Sequence, residues 1–171
     1  MKIVKTGKKK YPYRVFPSKG HGFYVPSQHK FSNDFVDHHG CSLVAFYIAM
    51  SFLGKKKTMK KLLNWSKKHL KIKSKIPIKE VYKGIKKLAP GANVTYLKKP
   101  TVSQVKKALK EGCLVLLETK DPIHTNPLLY DDTSKTTRNF SDGKKKKASA
   151  TKLMKKLCKN DTYRGCIIIR P

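Results

Sequence analysis

The residues that could do chemistry begin at Gly40-Cys41-Ser42, where a long apolar run opens. Leu43, Phe46, Tyr47, Met50 and Leu53 recur at helical spacing, with Ala45, Ala49 and Ser51 as small residues between them. The run therefore reads as a buried helix, closed by Gly54 in a left-handed cap. Cys41 stands in its first turn, where unpaired backbone N–H groups and the positive end of the helix dipole favour a thiolate. The competing reading is a small buried cysteine with no chemistry. A polar, permissive lead-in (Asp37-His38-His39-Gly40) that meets the hydrophobic helix directly at the cysteine favours a nucleophile. Cys113, Cys158 and Cys166 form no C-x-x-C pair, so no zinc site, other metal or cofactor is expected. Cys113 lies in an apolar run and reads as core. Cys158 and Cys166 flank the last connection and suit either a disulfide in an oxidising compartment or two reduced, buried thiols.

The elements around this helix follow from periodicity and punctuation. Residues 1–36 read as irregular or short-strand structure, because prolines bar a helix around Tyr11–Pro17 and Phe23–Pro26. After Gly54, Thr58 caps a helix to about Leu70, and Pro77 opens another in which Ile78, Val81, Tyr82, Ile85 and Leu88 keep a 3–4 spacing. Asn93–Leu97 is a short strand. Thr101 starts a fourth helix that ends at Gly112, and Cys113–Glu118 is an apolar strand of the kind buried on both faces. A loop with Asp121-Pro122 then delivers His124 ahead of a strand at Leu128–Tyr130. Asp131–Lys135 turns into a returning strand, Thr136–Phe140, and Ser141-Asp142-Gly143 is the next turn. Lys144–Lys147 reads as solvated, Ala148–Cys158 as a last helix and Tyr163–Ile169 as a final strand. Helices first and an antiparallel sheet later make the class α+β.

The order of these parts resembles a known family: a helix beginning Gly40-Cys41-Ser42, two further helices, then Ala108-Leu-Lys-Glu-Gly-Cys-Leu-Val-Leu-Leu117, a histidine opening a strand and an aspartate after a hairpin. It is similar to the papain-like cysteine peptidases, and most closely to the bacterial C39-like (bacteriocin-processing) group. The resemblance spans about residues 33–169. It implies a segment 1–36 packed on a single papain-like domain, 37–171, whose helical part is about 41–111 and whose sheet is about 113–169. It also implies Cys41 as nucleophile, His124 as general base and Asp142 as the group that orients the imidazole, with Asn139 as substitute. His38 and His39 adjoin Cys41 where the chain must turn and read as loop polarity or local modulators. His21, His29 and His69 read as surface residues. The family places a glutamine six residues before the cysteine for the oxyanion hole, and here that residue is Phe35. Gln28, Asn33 and Asp34 are the nearby polar residues, of which Gln28 and Asn33 could donate. The NlpC/P60 cell-wall peptidases share the Cys-His-polar order, but their usual aspartate before the cysteine is Gly40 here.

The resemblance implies a peptide or protein substrate. Charge adds a second class of partner. The net charge of +30 is carried by lysine, with arginine only at Arg14, Arg138, Arg164 and Arg170. Lysine attracts polyanions without reading them, which fits an anionic cell-wall polymer and argues against specific nucleic-acid recognition. A basic binding module on the same fold is thus the alternative to a peptidase. No stretch reaches the roughly 20 apolar residues of a membrane span, and Met1–Lys5 carries no signal-peptide core. The compartment stays open between secreted or cell-surface and cytoplasmic, with a secreted location favoured if a leader has been removed.

Overall fold

A computed structural model describes residues 1–31, 33–72, 76–120, 123–141, 146–149, 151–152, 155 and 163–171. Its first elements are β1 (Lys2–Lys5), β2 (Tyr13–Phe16) and β3 (Phe23–Val25), paired antiparallel in that order. Pro12, Pro17 and Pro26 lie just outside these spans, so none interrupts a ladder. Val15, Phe23 and Val25 turn into the core.

A 3-10 turn (Gln28–Lys30) then leads to α1 (Asp34–His39). This helix corrects the sequence reading, which has the chain irregular or extended to residue 36 and permissive up to Gly40. Its N-cap is Asn33, whose Oδ1 accepts from the Val36 N–H at 3.2 Å. Six residues are too few to display a helical period, which is why the pattern does not announce it.

After Gly40 comes α2 (Cys41–Phe52), and every residue of it from Ser42 onward is buried. Gly54 ends it with φ +75°, and the Lys55 N–H returns to the Met50 carbonyl at 2.8 Å, satisfying the last turn. Two helices pack against α2: α3 (Met59–His69), capped by Thr58, and α4 (Ile78–Leu88), entered from Pro77. Phe46 of α2 stands edge-on to Trp65 and lies over Gly84, where even a methyl group would collide with its ring.

The remaining elements are β4 (Val94–Leu97), α5 (Val102–Lys110), β5 (Leu114–Lys120), β6 (Ile123–Asp131), β7 (Thr136–Asn139), β8 (Lys146–Ala148) and β9 (Tyr163–Ile169). The strands form one antiparallel sheet in the order β4-β9-β5-β6-β7-β8. The class is α+β. Leu114, Leu116, Leu129, Ile167 and Ile169 share a core with α2, α3 and α4. Val115, Leu117, Leu128, Cys166 and Ile168 pack with Val105, Ala108 and Leu109 of α5. Helices therefore cover both faces of the central strands, which is why Cys113–Leu117 is apolar without alternation.

Three boundaries differ from expectation. His124 lies inside β6, not in a loop before it. Pro127 masks this strand in the sequence because it brings no N–H to a ladder. Its carbonyl still accepts from the Phe140 N–H at 3.0 Å, and Asn126 Nδ2 donates across to the Leu117 carbonyl at 3.4 Å. Lys146–Ala148, expected as a solvated tract leading into a helix, is a strand paired with β7. Of the helix expected over Ala148–Cys158, Thr151 and Lys152 are helical and most of the rest lies outside the described residues. Among the described residues, no helix is long and apolar enough to cross a membrane.

Candidate active site

Two elements carry the site. α2 presents Cys41 at its first residue, and β6 presents His124 at its second. One position further along each, Ser42 Oγ and Thr125 Oγ1 are hydrogen-bonded at 3.1 Å, with both residues buried. This bond sets the register of helix against strand. It ties the start of α2 to β6 one residue from Cys41 and one residue from His124. The Cys41 Sγ lies 3.9 Å from Ser42 Oγ, and the His124 imidazole and the Thr125 backbone are the neighbouring groups that act on its charge.

Those neighbours decide the state of the sulfur. Burial pushes the Cys41 thiol up. The His124 imidazole, the Thr125 backbone, the positive charge available on His124 and the Ser42 hydroxyl act against it and together win, so the thiol is held below its ordinary value. The other described cysteines go the opposite way. Burial raises Cys113, and it pushes Cys166 up to about 12. Both are buried in the core beneath α5. Cys166 is a free thiol, so it is not joined to Cys158, which lies outside the described residues.

His124 is held through its backbone. Thr119, opposite it on β5, donates to the His124 carbonyl at 3.3 Å, and Asn126 Nδ2 reaches the same oxygen at 3.4 Å. Asn139, the substitute third residue, is buried. Its Nδ2 donates to Asn126 Oδ1 at 2.9 Å, while its own Oδ1 accepts from the Ser141 N–H and hydroxyl. Asn139 thus braces the strand two residues beyond His124. Asp142 lies outside the described residues.

The oxyanion candidates fall in different places. Asn33 is exposed at the start of α1, with its Oδ1 committed to the helix cap. The six residues of α1, about 9 Å of helix, separate that end from Gly40. Gln28 is buried in the 3-10 turn. Phe35 is half-buried against the main core. His38 and His39 close α1, and His21, His29 and His69 are exposed, as their sequence context suggests. No group of three or more His, Cys, Asp or Glu side chains suited to a metal ion occurs among the described residues.

No family model, curated protein or solved structure matches this chain. The site is therefore read from its own geometry.

Sequence reasoning missed Ser42, Thr125, Thr119 and Asn126. It also missed Glu118, a carboxylate 1% exposed on β5 opposite Thr125. A signal for them exists. Glu118-Thr119 and Thr125-Asn126 are polar pairs at facing ends of two otherwise apolar strands, and buried polar groups inside a core strand usually serve a site. The helix–strand register gives a direct expectation. Thr125→Val removes one partner of a buried bond and leaves the Ser42 hydroxyl stranded, costing about 2 kcal/mol in urea unfolding. The double variant Ser42→Ala/Thr125→Val loses less than the sum of the single changes.

Proposed function

We propose that this chain is a cysteine peptidase or amidase of the papain-like, C39-like kind, with Cys41 as nucleophile and His124 as general base. What supports the reading is that α2 begins with Cys41 where β6 brings His124, joined next door by the Ser42–Thr125 hydrogen bond, and that the imidazole helps hold the thiol below its ordinary value against burial. The proton shared by thiol and imidazole resides on the imidazole when Cys41 is a thiolate. The sulfur attacks a substrate carbonyl, and the carbonyl electron pair moves to oxygen. Collapse of the tetrahedral species breaks the C–N bond as the imidazolium gives its proton to the leaving amine. The resulting thioester is cleared by a water that the now neutral imidazole deprotonates.

Negative charge on the carbonyl oxygen develops beside the N-terminus of α2. The Gly40 carbonyl already takes the Val44 N–H, so the amides of Cys41, Ser42 and Leu43 lie outside that helix's own ladder. In this reading the Cys41 N–H is one oxyanion donor. Gln28, buried in the 3-10 turn, and Asn33, whose Oδ1 accepts the Val36 N–H while its Nδ2 keeps its N–H groups, are the candidates for a second donor.

The test is digestion of a defined peptide library followed by mass spectrometry. Wild type is expected to cut at a restricted set of bonds, and Cys41→Ala and His124→Ala to lose that cutting by about three orders of magnitude or more. Cutting that survives in Cys41→Ala would dismiss the peptidase reading. The basic binding module would then be the better account of a chain with nineteen lysines and one carboxylate, Glu80, between residues 55 and 110.

A further inference from the structure

Residues 1–33 hold seven lysines and Arg14 and not one Asp or Glu. The sheet β1-β2-β3 turns one face of this segment to solvent. Its register pairs Lys2 with Phe16, Val4 with Arg14 and Arg14 with Tyr24, so these side chains share the face opposite buried Val15, Phe23 and Val25. Val4 and Phe16, 39% and 38% exposed, are two of the three exposed large hydrophobic side chains among the described residues. Arg14 stands between two rings, its guanidinium 4.7 Å from Phe16 and 5.2 Å from Tyr24. The row continues past the sheet. Tyr24 meets Tyr11 edge-on at 5.9 Å, Tyr11 meets Phe31 at 5.6 Å, and the Lys10 ammonium lies 5.7 Å from the Phe31 ring. None of the four rings is buried. The Ser27 N–H donates to the Lys10 carbonyl at 2.9 Å, which ties this stretch to the 3-10 turn leading to Phe31.

Acidic residues bound this surface at its ends. Beyond Phe16, Asp131 and Asp132 take the Met1 amine and the Ser18 hydroxyl. Beyond Phe31, Asp34 opens α1 and Asp37 follows in the same helix. Among the described residues, no carboxylate pairs with Arg14 or Lys10. A polymer that carries charge alone uses the cations and leaves the rings idle. Single-stranded nucleic acid uses both, because every repeat brings a phosphate and a planar base. A duplex keeps its base faces inside its own stack. We infer that the outer face of β1-β2-β3, continued by Tyr11 and Phe31, binds single-stranded nucleic acid. Bases stack against Phe16, Arg14 and Tyr24, and the surrounding lysines draw the phosphates. Stacking takes the flat face of any base, so the surface reads no sequence. The shortage of arginine in the chain fits this, since arginine is needed to read base edges. None of these residues belongs to the Cys41 site, so the inference stands apart from the peptidase reading.

The test is fluorescence anisotropy with a labelled oligothymidylate of about 15 nucleotides, set against an abasic strand of the same length and charge. Wild type binds the base-bearing strand about tenfold more tightly, the gain that stacking of a base or two supplies. Phe16→Ala and Arg14→Lys, the second of which keeps the charge, each cut that preference about fivefold and leave abasic binding unchanged. Both side chains are exposed, and equal thermal melting shows that the fold is kept. Lys106→Gln/Lys107→Gln removes two exposed charges from α5 and leaves the preference intact. Equal binding of the two strands by wild type would overturn the inference, because surface charge alone would be at work; this comparison needs no variant. So would a preference that survives both Phe16→Ala and Arg14→Lys. Inorganic polyphosphate that displaces the labelled strand as well as unlabelled oligothymidylate does would also overturn it, and would make the partner an acidic polymer without bases.

Discussion

Treated with iodoacetamide near neutral pH, Cys41 is alkylated and Cys113 and Cys166 are not. The difference is large because two factors multiply. Thiolate is the reacting form, and below a thiol's pKa each unit removes tenfold of it. Cys166, pushed up to about 12, holds on the order of one part in 100,000 as thiolate at pH 7. It is also 0% exposed, whereas Cys41 is part-exposed. A rate ratio above about a thousand is expected. The pH profile gives the sign. Because the folded protein holds the Cys41 thiol low, its alkylation reaches half-maximum below the ~8.5 of a free thiol. In His124→Ala, the imidazole and the positive charge that oppose burial are both gone, so the midpoint moves up. The rate at pH 6.5 then falls by one to two orders of magnitude, about what a nearby opposite charge contributes. The same sign governs stability. A depressed thiol pKa adds stability above the unfolded value of ~8.5, and that increment fades as pH falls through the lower folded value. The measurement is mass spectrometry of each cysteine-containing peptide across pH, in wild type and variant. Equal labelling of the three thiols, or a profile indifferent to His124, would remove the thiolate–imidazole pair as a chemical unit.

How far the sequence foretells this arrangement depends on the kind of signal each residue carries. The helices α2 to α5 are legible because each has a capping residue at one end, a breaker at the other and a period between: Thr58, Pro77 and Thr101 open three of them, and Gly54 closes the first. β5 and β9 are legible as apolar runs. β6 is not, because Pro127 contradicts a central strand locally and only the side chain of Asn126 and the neighbouring β7 make it tolerable. The placement of α5 on the opposite face of the sheet also escapes, since its apolar stripe does not say which face it covers. For the site, Cys41 is readable from its own helix. The approach to His124 is not a local property: it depends on how α2 docks on β6, fixed in part by the Ser42–Thr125 bond between residues 83 apart. The braces behind His124 (Thr119, Asn126, Asn139) are likewise tertiary, and nothing at their own positions says that they meet.

Gly40→Ala should damage the site more than any other single-methyl change, although Gly40 makes no contact with a substrate. Its φ is −80°, so left-handed backbone is not what demands glycine here. Space is. A Cβ at position 40 would fall on the Val36 carbonyl oxygen and within 2.9 Å of the Val36 Cα and carbonyl carbon, all backbone atoms of α1. A flexible side chain could yield to such a contact, but a helical backbone yields only by moving as a unit. The junction must therefore open, and the Gly40–Val36 and Val44–Gly40 hydrogen bonds, 3.1 and 2.8 Å, weaken with it. Overpacking against backbone costs about 2–3 kcal/mol, which for a domain of this length lowers the melting temperature by about 5–10 °C. The larger effect is on chemistry. Cys41 is the next residue, and a displacement of about 1 Å at a reacting atom lowers rate by about 100-fold. Alkylation of Cys41 at neutral pH should fall even in the fraction that stays folded, while Cys166 stays protected. That last comparison isolates the cause: if Cys166 became reactive as well, the variant would simply be unfolding, and if both melting and Cys41 reactivity matched wild type, the close approach of α1 to α2 would have no part in placing the thiol.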